Sequence, residues 1–460
     1  MKRVLLGIPQ YNVPSHREDH PMGLIFLGSV LKNKGHKVLI YDPRICRKPF
    51  AYFMQAFRPH YVGLSVMTDL RKNAFQICKE VKAFDNGIKI ILGGSHFTPL
   101  SARHALEVYG DYIDFCVLGY GEKALSRIVD GEDSKTIPNL VFREQGEIVE
   151  TNSEKVVRSE EIIMPDYSLV NLKKYRLRVQ YEQSLPLFTS RGCPHSCIFC
   201  SAGTFSRNVA FAPAEMVMET IDQIYSLGYR AIFIQDDTFG LHKKNSYAIL
   251  EYLSKKGIKY SVKSRLEILK DDFMFALKET GCYGIKFGLE SIVPHVLENI
   301  NKCLPLDRLE NVLQIGQRLG LKIGVYLLIG NPGESYEDAM ATIRYAGSLF
   351  ERGIEPFAAI GCYIFPGTRL EKISKEEGVI NKNFSWANEF CEVRNSLIGY
   401  DPVVPIYISK DIGYQELLSL RSEFAKYTQK QIAWGIMRLL PNVVVNPLRS
   451  LYHRWFKSDF

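Results

Sequence analysis

Short apolar runs separated by amphipathic stretches begin with the first residues of the chain. Lys2–Ile8, Lys37–Tyr41, Tyr61–Met67, Ile88–Leu92 and Tyr112–Leu118 are rich in β-branched residues, and each ends in a loop carrying Gly, Ser or Asp. Leu24–Lys34 and Asn73–Ala83 instead show helical spacing, and Gly35 follows the first as a C-terminal stop. Strands that lack polar alternation are buried on both faces. The pattern therefore predicts a doubly wound, Rossmann-like α/β domain over 1–130 with a parallel sheet. Ligands of such sheets sit at the carboxyl ends of the strands. That directs attention to the loops Pro9–Asp19, Ser65–Asp69, Gly93–Thr98 and Gly119–Glu122.

A more polar stretch, 131–182, reads as a connector with a small hairpin near Asn139–Phe142 and Ile148–Thr151. A second α/β series fills 183–375. Its predicted strands are Leu187–Ser190, Ala231–Gln235, Tyr260–Lys263, Gly284–Gly288, Lys322–Ile329 and Ala358–Ile364. Its predicted helices are Pro213–Leu227, Asn245–Lys256, Asp271–Thr280, Asp307–Leu319 and Tyr336–Phe350. Six β/α units are too few to close an eight-stranded barrel, so a partial barrel is expected, with chemistry at the carboxyl ends of its strands. Residues 376–460 form a mainly helical C-terminal segment in which Tyr414–Arg438 is amphipathic.

Composition narrows this picture. The 460 residues are 46% hydrophobic and 23% charged, as in a globular protein. No secretory signal and no eighteen-residue apolar run is present, which predicts a cytoplasmic protein with reduced cysteines. A net charge of +8 is too mild to imply nucleic acid. Gln431–Phe460 mixes Trp434, Tyr452, Trp455 and Phe456 with basic residues. Such a mixture suits either a helix packed on the barrel or peripheral contact with the inner face of a membrane.

Only three of the ten cysteines cluster, in Arg191-Gly192-Cys193-Pro194-His195-Ser196-Cys197-Ile198-Phe199-Cys200, directly after the first strand of the second series. Thiolates ligate iron–sulfur clusters, and three in so short a loop can surround one cluster face. A closed zinc site takes four ligands. Three thiolates leave one iron of a 4Fe–4S cluster open. A zinc site completed by His195 or a distant residue stays an alternative.

This spacing after the first strand of a partial barrel, with Phe199 before the third cysteine, resembles the radical SAM superfamily. The resemblance implies a 4Fe–4S cluster on Cys193, Cys197 and Cys200, whose open iron chelates S-adenosylmethionine and cleaves it to a 5′-deoxyadenosyl radical. It also implies an external one-electron reductant such as flavodoxin or ferredoxin. Later strand ends match further elements of the family. Asp236 and Asp237 fall where an acidic motif accepts the methionine amine, and Ser264 and Arg265 where the carboxylate and ribose are met. Glu290 belongs to a matching Gly288-Leu289-Glu290-Ser291 run, and Gly330 and Pro332 to the turn beside the adenine. Phe365-Pro366-Gly367-Thr368 resembles a further subgroup element, and no catalytic acid or base is assigned.

The first domain resembles the cobalamin-binding domain of one radical SAM subgroup, the methyltransferase-like class. Pro21-Met22-Gly23-Leu24 and Gly35-His36-Lys37-Val38 match it, and so do Ser65, Met67, Thr68, Gly93, Gly94, Gly119, Gly121 and Glu122. These last residues are implied to line cobalamin. The cobalt-ligating D-x-H-x-x-G element is absent; the loop has Ser15-His16-Arg17-Glu18-Asp19-His20 instead, and both histidines read as surface residues. A domain that merely docks on the barrel is the plainer alternative. With cobalamin, the implied reaction is methylation of an unactivated carbon or phosphorus centre of a small-molecule or lipid-like substrate. Radical ring closure, oxidation or rearrangement without methyl transfer is the second reading, and a non-enzymatic iron–sulfur sensor or carrier the third. Cys362, after the last strand, could face the cavity as a hydrogen or proton donor, but a buried apolar thiol is the expectation.

Overall fold

The computed structural model describes residues 1–11, 20–154, 158–388 and 390–439, with side chains through Gln429. Two sheets organise the chain. The first holds β1 (Arg3–Gly7), β2 (Lys37–Tyr41), β3 (Tyr61–Ser65), β4 (Lys89–Gly93), β5 (Phe115–Val117), β6 (Leu140–Glu144) and β7 (Glu147–Glu150), in the order β2-β1-β3-β4-β5-β6-β7. The first five strands are parallel, and β6 and β7 add antiparallel. The expected wholly parallel sheet is therefore corrected to a mixed one. The hairpin read as part of a connector extends it, because Leu140 and Phe142 are buried while the turn at Gln145 and Gly146 takes positive φ.

Five helices cover the two faces: α1 (Met22–Asn33), α2 (Phe50–Phe57), α3 (Arg71–Phe84), α4 (Pro99–Tyr109) and α5 (Glu122–Asp130). Their packing leaves two apolar layers, one around Leu5, Val62 and Ile90 and one around Leu6, Ile91 and Val117. Successive residues of β1 and β4 thus point into opposite layers, as period-two geometry requires.

The second sheet is parallel and strictly sequential: β8 (Leu185–Leu187), β9 (Ala231–Ile234), β10 (Lys259–Ser264), β11 (Cys282–Glu290), β12 (Lys322–Ile329) and β13 (Glu355–Ile360). It remains open between β8 and β13. Outside it lie α6 (Ala214–Ser226), α7 (Lys243–Lys255), α8 (Asp271–Glu279), α9 (Leu309–Arg318) and α10 (Tyr336–Glu351). The shared core runs from Ile221 and Ile232 through Val262 and Ile285 to Leu313 and Val325. The C-terminal segment ends in α11 (Tyr414–Leu439), which packs beside α10 and β13 at the open edge. Among the described residues no helix is long and apolar enough to cross a membrane. The aromatic and basic stretch from Pro441 onward lies outside the described residues.

Candidate functional site

The cysteine loop is fastened before it begins. Ser190–Arg191 pairs antiparallel with Ala210–Phe211, and Asp236 follows β9 directly beneath. Its Oδ1 accepts from the backbone N–H of Thr189 at 2.7 Å and of Ser190 at 3.2 Å. Its Oδ2 accepts from the hydroxyls of Thr189 at 2.5 Å and Ser190 at 2.8 Å. Asp236 is 1% exposed, and burial raises its carboxyl to about 6 despite those four donors. A residue expected to face a ligand amine is instead committed to the start of the loop. Gly192 comes next at φ 91°, where a Cβ would lie 2.2 Å from the Asn208 carbonyl oxygen, so the chain turns there only with glycine.

Beyond this anchor Cys193, Cys197 and Cys200 are all partly accessible. Barrel loops hold their frame: Ile198 N–H donates to the Ile300 carbonyl and accepts at its own carbonyl from Leu370 N–H. Asn301 donates to the Ser196 hydroxyl and carbonyl. Arg265 lies 3.9 Å from Cys197 Sγ through Nη1 while its Nε donates to Glu267 at 2.5 Å. Burial pushes the Cys193 and Cys200 thiols up; iron or a guanidinium is what would hold such thiols as thiolates. Among the described residues no three His, Cys, Asp or Glu side chains converge as ligands of a single ion. A cluster asks for a different arrangement, each thiolate on its own iron, and the donor set fits it. His195 turns toward Glu267, 3.7 Å away.

The other strand-end residues divide between facing a cavity and bracing the backbone. Asp237 opens onto the cavity between the domains. Surrounding protein raises its carboxyl, against the opposing charge of Lys263. Ser264 donates to the Phe239 carbonyl at 2.8 Å. Glu290 sits at φ 66° and accepts from Lys302 at 2.6 Å, both side chains buried. In the turn after β12, the N–H groups of Gly330 and Asn331 donate to Glu334 Oε2 at 2.7 and 2.8 Å. Burial lifts Glu334 to about 7, and Pro332 is buried beside it. Phe199 faces a second cavity beneath α11, together with Glu290 and Cys362. Cys362 is buried as expected, its thiol pushed up by desolvation.

At the carboxyl ends of the first sheet a cavity of about 390 Å³ lies between the two halves. Ser65, Met67, Gly93, Gly94, Gly119, Gly121 and Glu122 line one wall; Arg191, Gly192 and Asp237 line the other. Thr68 departs from this group. It is buried under the loop, its carbonyl taken by Arg71 and its hydroxyl 3.4 Å from His96 Nδ1. At Gly94, φ 101°, a Cβ would meet the backbone O and N of Val66 at 2.6 and 2.7 Å. The missing side chains along this wall give a bulky ligand access to backbone, which suits cobalamin.

Sequence reasoning passed over the residue that joins the two walls. Arg191 pairs with Glu122 at 2.9 Å, both nearly buried. Its guanidinium lies between the rings of Phe26 and Tyr120, 4.2 and 5.1 Å from their centroids. Its place beside Cys193 was the available signal. His20 also differs from expectation. It is 5% exposed, stacks 4.5 Å from the Tyr175 ring, and burial lowers it to about 4. The ring that covers it, Tyr175, comes from the connector, about 155 residues along the chain, which no local pattern announces; His16 lies outside the described residues.

A family model described as Radical SAM superfamily matches residues 187–346, and one described as B12 binding domain matches residues 15–129. An uncharacterized methyltransferase of Pyrococcus horikoshii is 30% identical over 76% of this chain and 77% of its own length. An anaerobic magnesium-protoporphyrin IX monomethyl ester cyclase of Rubrivivax gelatinosus is 23% identical over 63% of this chain and 54% of its own length. Among solved structures, the radical S-adenosylmethionine methyltransferase TsrM of Kitasatospora setae, with cobalamin and a 4Fe–4S cluster bound, superposes with a TM-score of 0.75. It is 17% identical, covering 92% of this chain and 91% of that one, which shows a common fold.

Proposed function

Because this chain belongs to the radical SAM superfamily and carries its B12-binding domain, we propose that it methylates an unactivated carbon or phosphorus centre of a small-molecule or lipid-like substrate. It is a radical SAM enzyme whose cofactors are a 4Fe–4S cluster, S-adenosylmethionine and cobalamin. When bound, these supply an electron, a 5′-deoxyadenosyl radical and a methyl group. One observation carries the methyl-transfer reading: the glycine-lined wall of the first domain and the start of the cysteine loop enclose the same cavity. A radical source and a methyl carrier placed on facing walls can serve one substrate between them.

In this reading Cys193, Cys197 and Cys200 ligate the cluster. Asp237, not Asp236, accepts the methionine amine, because every oxygen of Asp236 is already occupied. Arg265, on the Cys197 side of the loop, meets the carboxylate. Gly330, Pro332 and Phe199 form the adenine side, and Ser264 braces β10. Glu290 is neutralised by Lys302 and keeps that side free of net charge. Ser65, Met67, Gly93, Gly94, Gly119, Gly121 and Glu122 cradle cobalamin, and Thr68 supports them from behind. The cysteine-loop side of the cavity is where the reacting atom of the substrate would meet both cofactors.

Similarity to a cyclase supports a second reading, the same radical without methyl transfer. Reconstituted, reduced enzyme given S-adenosylmethionine with a deuterated methyl group and a small-molecule extract tests both. Methyl transfer yields 5′-deoxyadenosine, S-adenosylhomocysteine and a labelled product. Deoxyadenosine without S-adenosylhomocysteine selects the second reading, and neither product overturns both.

A further inference from the structure

The inside of the second sheet is lined by cations that outnumber its carboxylates. A cavity of about 790 Å³ there is walled by Arg176, Arg178, Lys263, Lys286 and Lys322, with Glu355 the single carboxylate. Among the described residues none of these five cations is in an ion pair. Lys263 and Lys286 lie deepest and are half-buried. Each rests over a ring, Lys263 at 5.9 Å from the Phe233 centroid and Lys286 at 4.9 Å from that of Phe357. The charge nearest to Lys263 in effect is Asp237, at the top of the strand that precedes it.

This cavity meets the one beneath α11 at Tyr326 and Glu355. That second space is larger, about 1040 Å³, and mostly aromatic and apolar. It runs from Phe199 beside Cys200 to Phe357, Tyr400 and Phe424. Tyr326 and Phe357 stack 5.3 Å apart at the junction, so the ring that carries Lys286 also walls the apolar space.

Like charges gathered around one cavity repel, and the two half-buried lysines lose part of their hydration without an ion-pair partner. The arrangement is unfavourable when empty and is relieved by an anion. We propose that Lys263 and Lys286 bind an acidic group of the substrate, a carboxylate, phosphate or phosphonate, whose apolar body lies in the aromatic cavity under α11. This rests on the radical enzyme reading, because it places the body beside Phe199 and the cysteine loop. It adds what that reading lacks: the substrate is an anion with an apolar body.

Equilibrium dialysis of the full-length reconstituted protein tests it with two probes of one shape, anilinonaphthalene sulfonate and uncharged N-phenylnaphthylamine. The wild type is expected to prefer the sulfonate by about tenfold, the effect of charge-assisted hydrogen bonds in a half-buried site. The preference should vanish in Lys263→Gln/Lys286→Gln, survive in Lys263→Arg/Lys286→Arg, and weaken in Lys286→Gln alone should the double variant not fold. Ala359→Trp, which fills the aromatic cavity, should abolish binding of both probes. Equal binding of the two probes to wild type, a preference that persists without the lysines, or binding indifferent to Ala359→Trp overturns the proposal. Deoxyadenosine release by the same wild-type preparation is measured alongside. Its failure strikes the radical reading, whereas failure of the probe series with deoxyadenosine present strikes the lysines.

Discussion

Substituting Asp236 separates anchoring from ligand binding more sharply than any other change in this chain. Alanine would remove the acceptor of two backbone N–H groups and two hydroxyls in a site that is 1% exposed. The hydroxyls can rotate toward other acceptors, but the N–H groups of Thr189 and Ser190 cannot. Two orphaned buried donors cost about 1–3 kcal/mol each, so Asp236→Ala should lose about 4 kcal/mol locally. Asparagine is different. Its carbonyl can stay in the place of Oδ1 and keep both backbone donors, while its NH₂ donates to hydroxyls that reverse their roles. Asp236→Asn should therefore stay within about 1 kcal/mol of wild type near pH 4, where the native carboxyl is uncharged as well.

The pH dependence follows with a definite sign. The folded carboxyl is raised from 3.8 to about 6. Its contribution to stability is fully present below 3.8 and is lost as pH rises through 6. At 1.36 kcal/mol per tenfold change in proton affinity, the asparagine variant gains about 3 kcal/mol on the wild type between pH 4 and pH 7. Amide exchange followed by mass spectrometry on the peptide spanning 187–200 reads this locally, without requiring two-state unfolding. Asp236→Ala should exchange there about a thousandfold faster and retain little iron after reconstitution. Unchanged exchange in the alanine variant, or equal damage by asparagine and alanine, would refute the anchoring argument.

Asp237→Ala should leave exchange and melting untouched but weaken S-adenosylmethionine binding by about tenfold or more, measured by calorimetry, since a charged acceptor is lost. Because the Asp237 carboxyl is raised, affinity should begin to fall at a higher pH than an ordinary carboxylate would give as the solution is acidified. Gly94→Ala should lower cobalamin content, read from the visible absorbance of anaerobically purified protein, because its Cβ would collide with Val66 backbone atoms that cannot move aside. A variant with full cobalamin would show that this wall yields.

The elements most legible in the sequence were those with both an apolar run and clear stops. Lys322–Ile329 is observed with the predicted bounds, and Lys37–Tyr41 likewise. Three helices of the first domain went unread, Glu122–Asp130 among them. Phe50–Phe57 is too short to show a helical period, and Pro99–Tyr109 begins inside a segment rich in loop residues, where Thr98 caps it. The cysteine spacing was legible because all three thiols lie within one short loop, Cys193 to Cys200. Asp236 and Asp237 could not be told apart, because adjacent residues at a strand end point to opposite sides and only the neighbouring segment decides which is buried. The cations of the barrel interior were invisible for a similar reason. Lys263, Lys286 and Lys322 belong to three different strands, and only strand register brings them to one cavity.

Arg191 belongs to two loading events at once. One side of its guanidinium is held by Glu122 of the first domain, and its own backbone leads into Cys193. Whatever factor a bound corrinoid adds to iron affinity through this pair, bound iron adds to corrinoid affinity, by thermodynamic reciprocity. Where that factor exceeds one, loading either cofactor favours loading the other, and a chain that holds a radical source but no methyl donor is the less populated species.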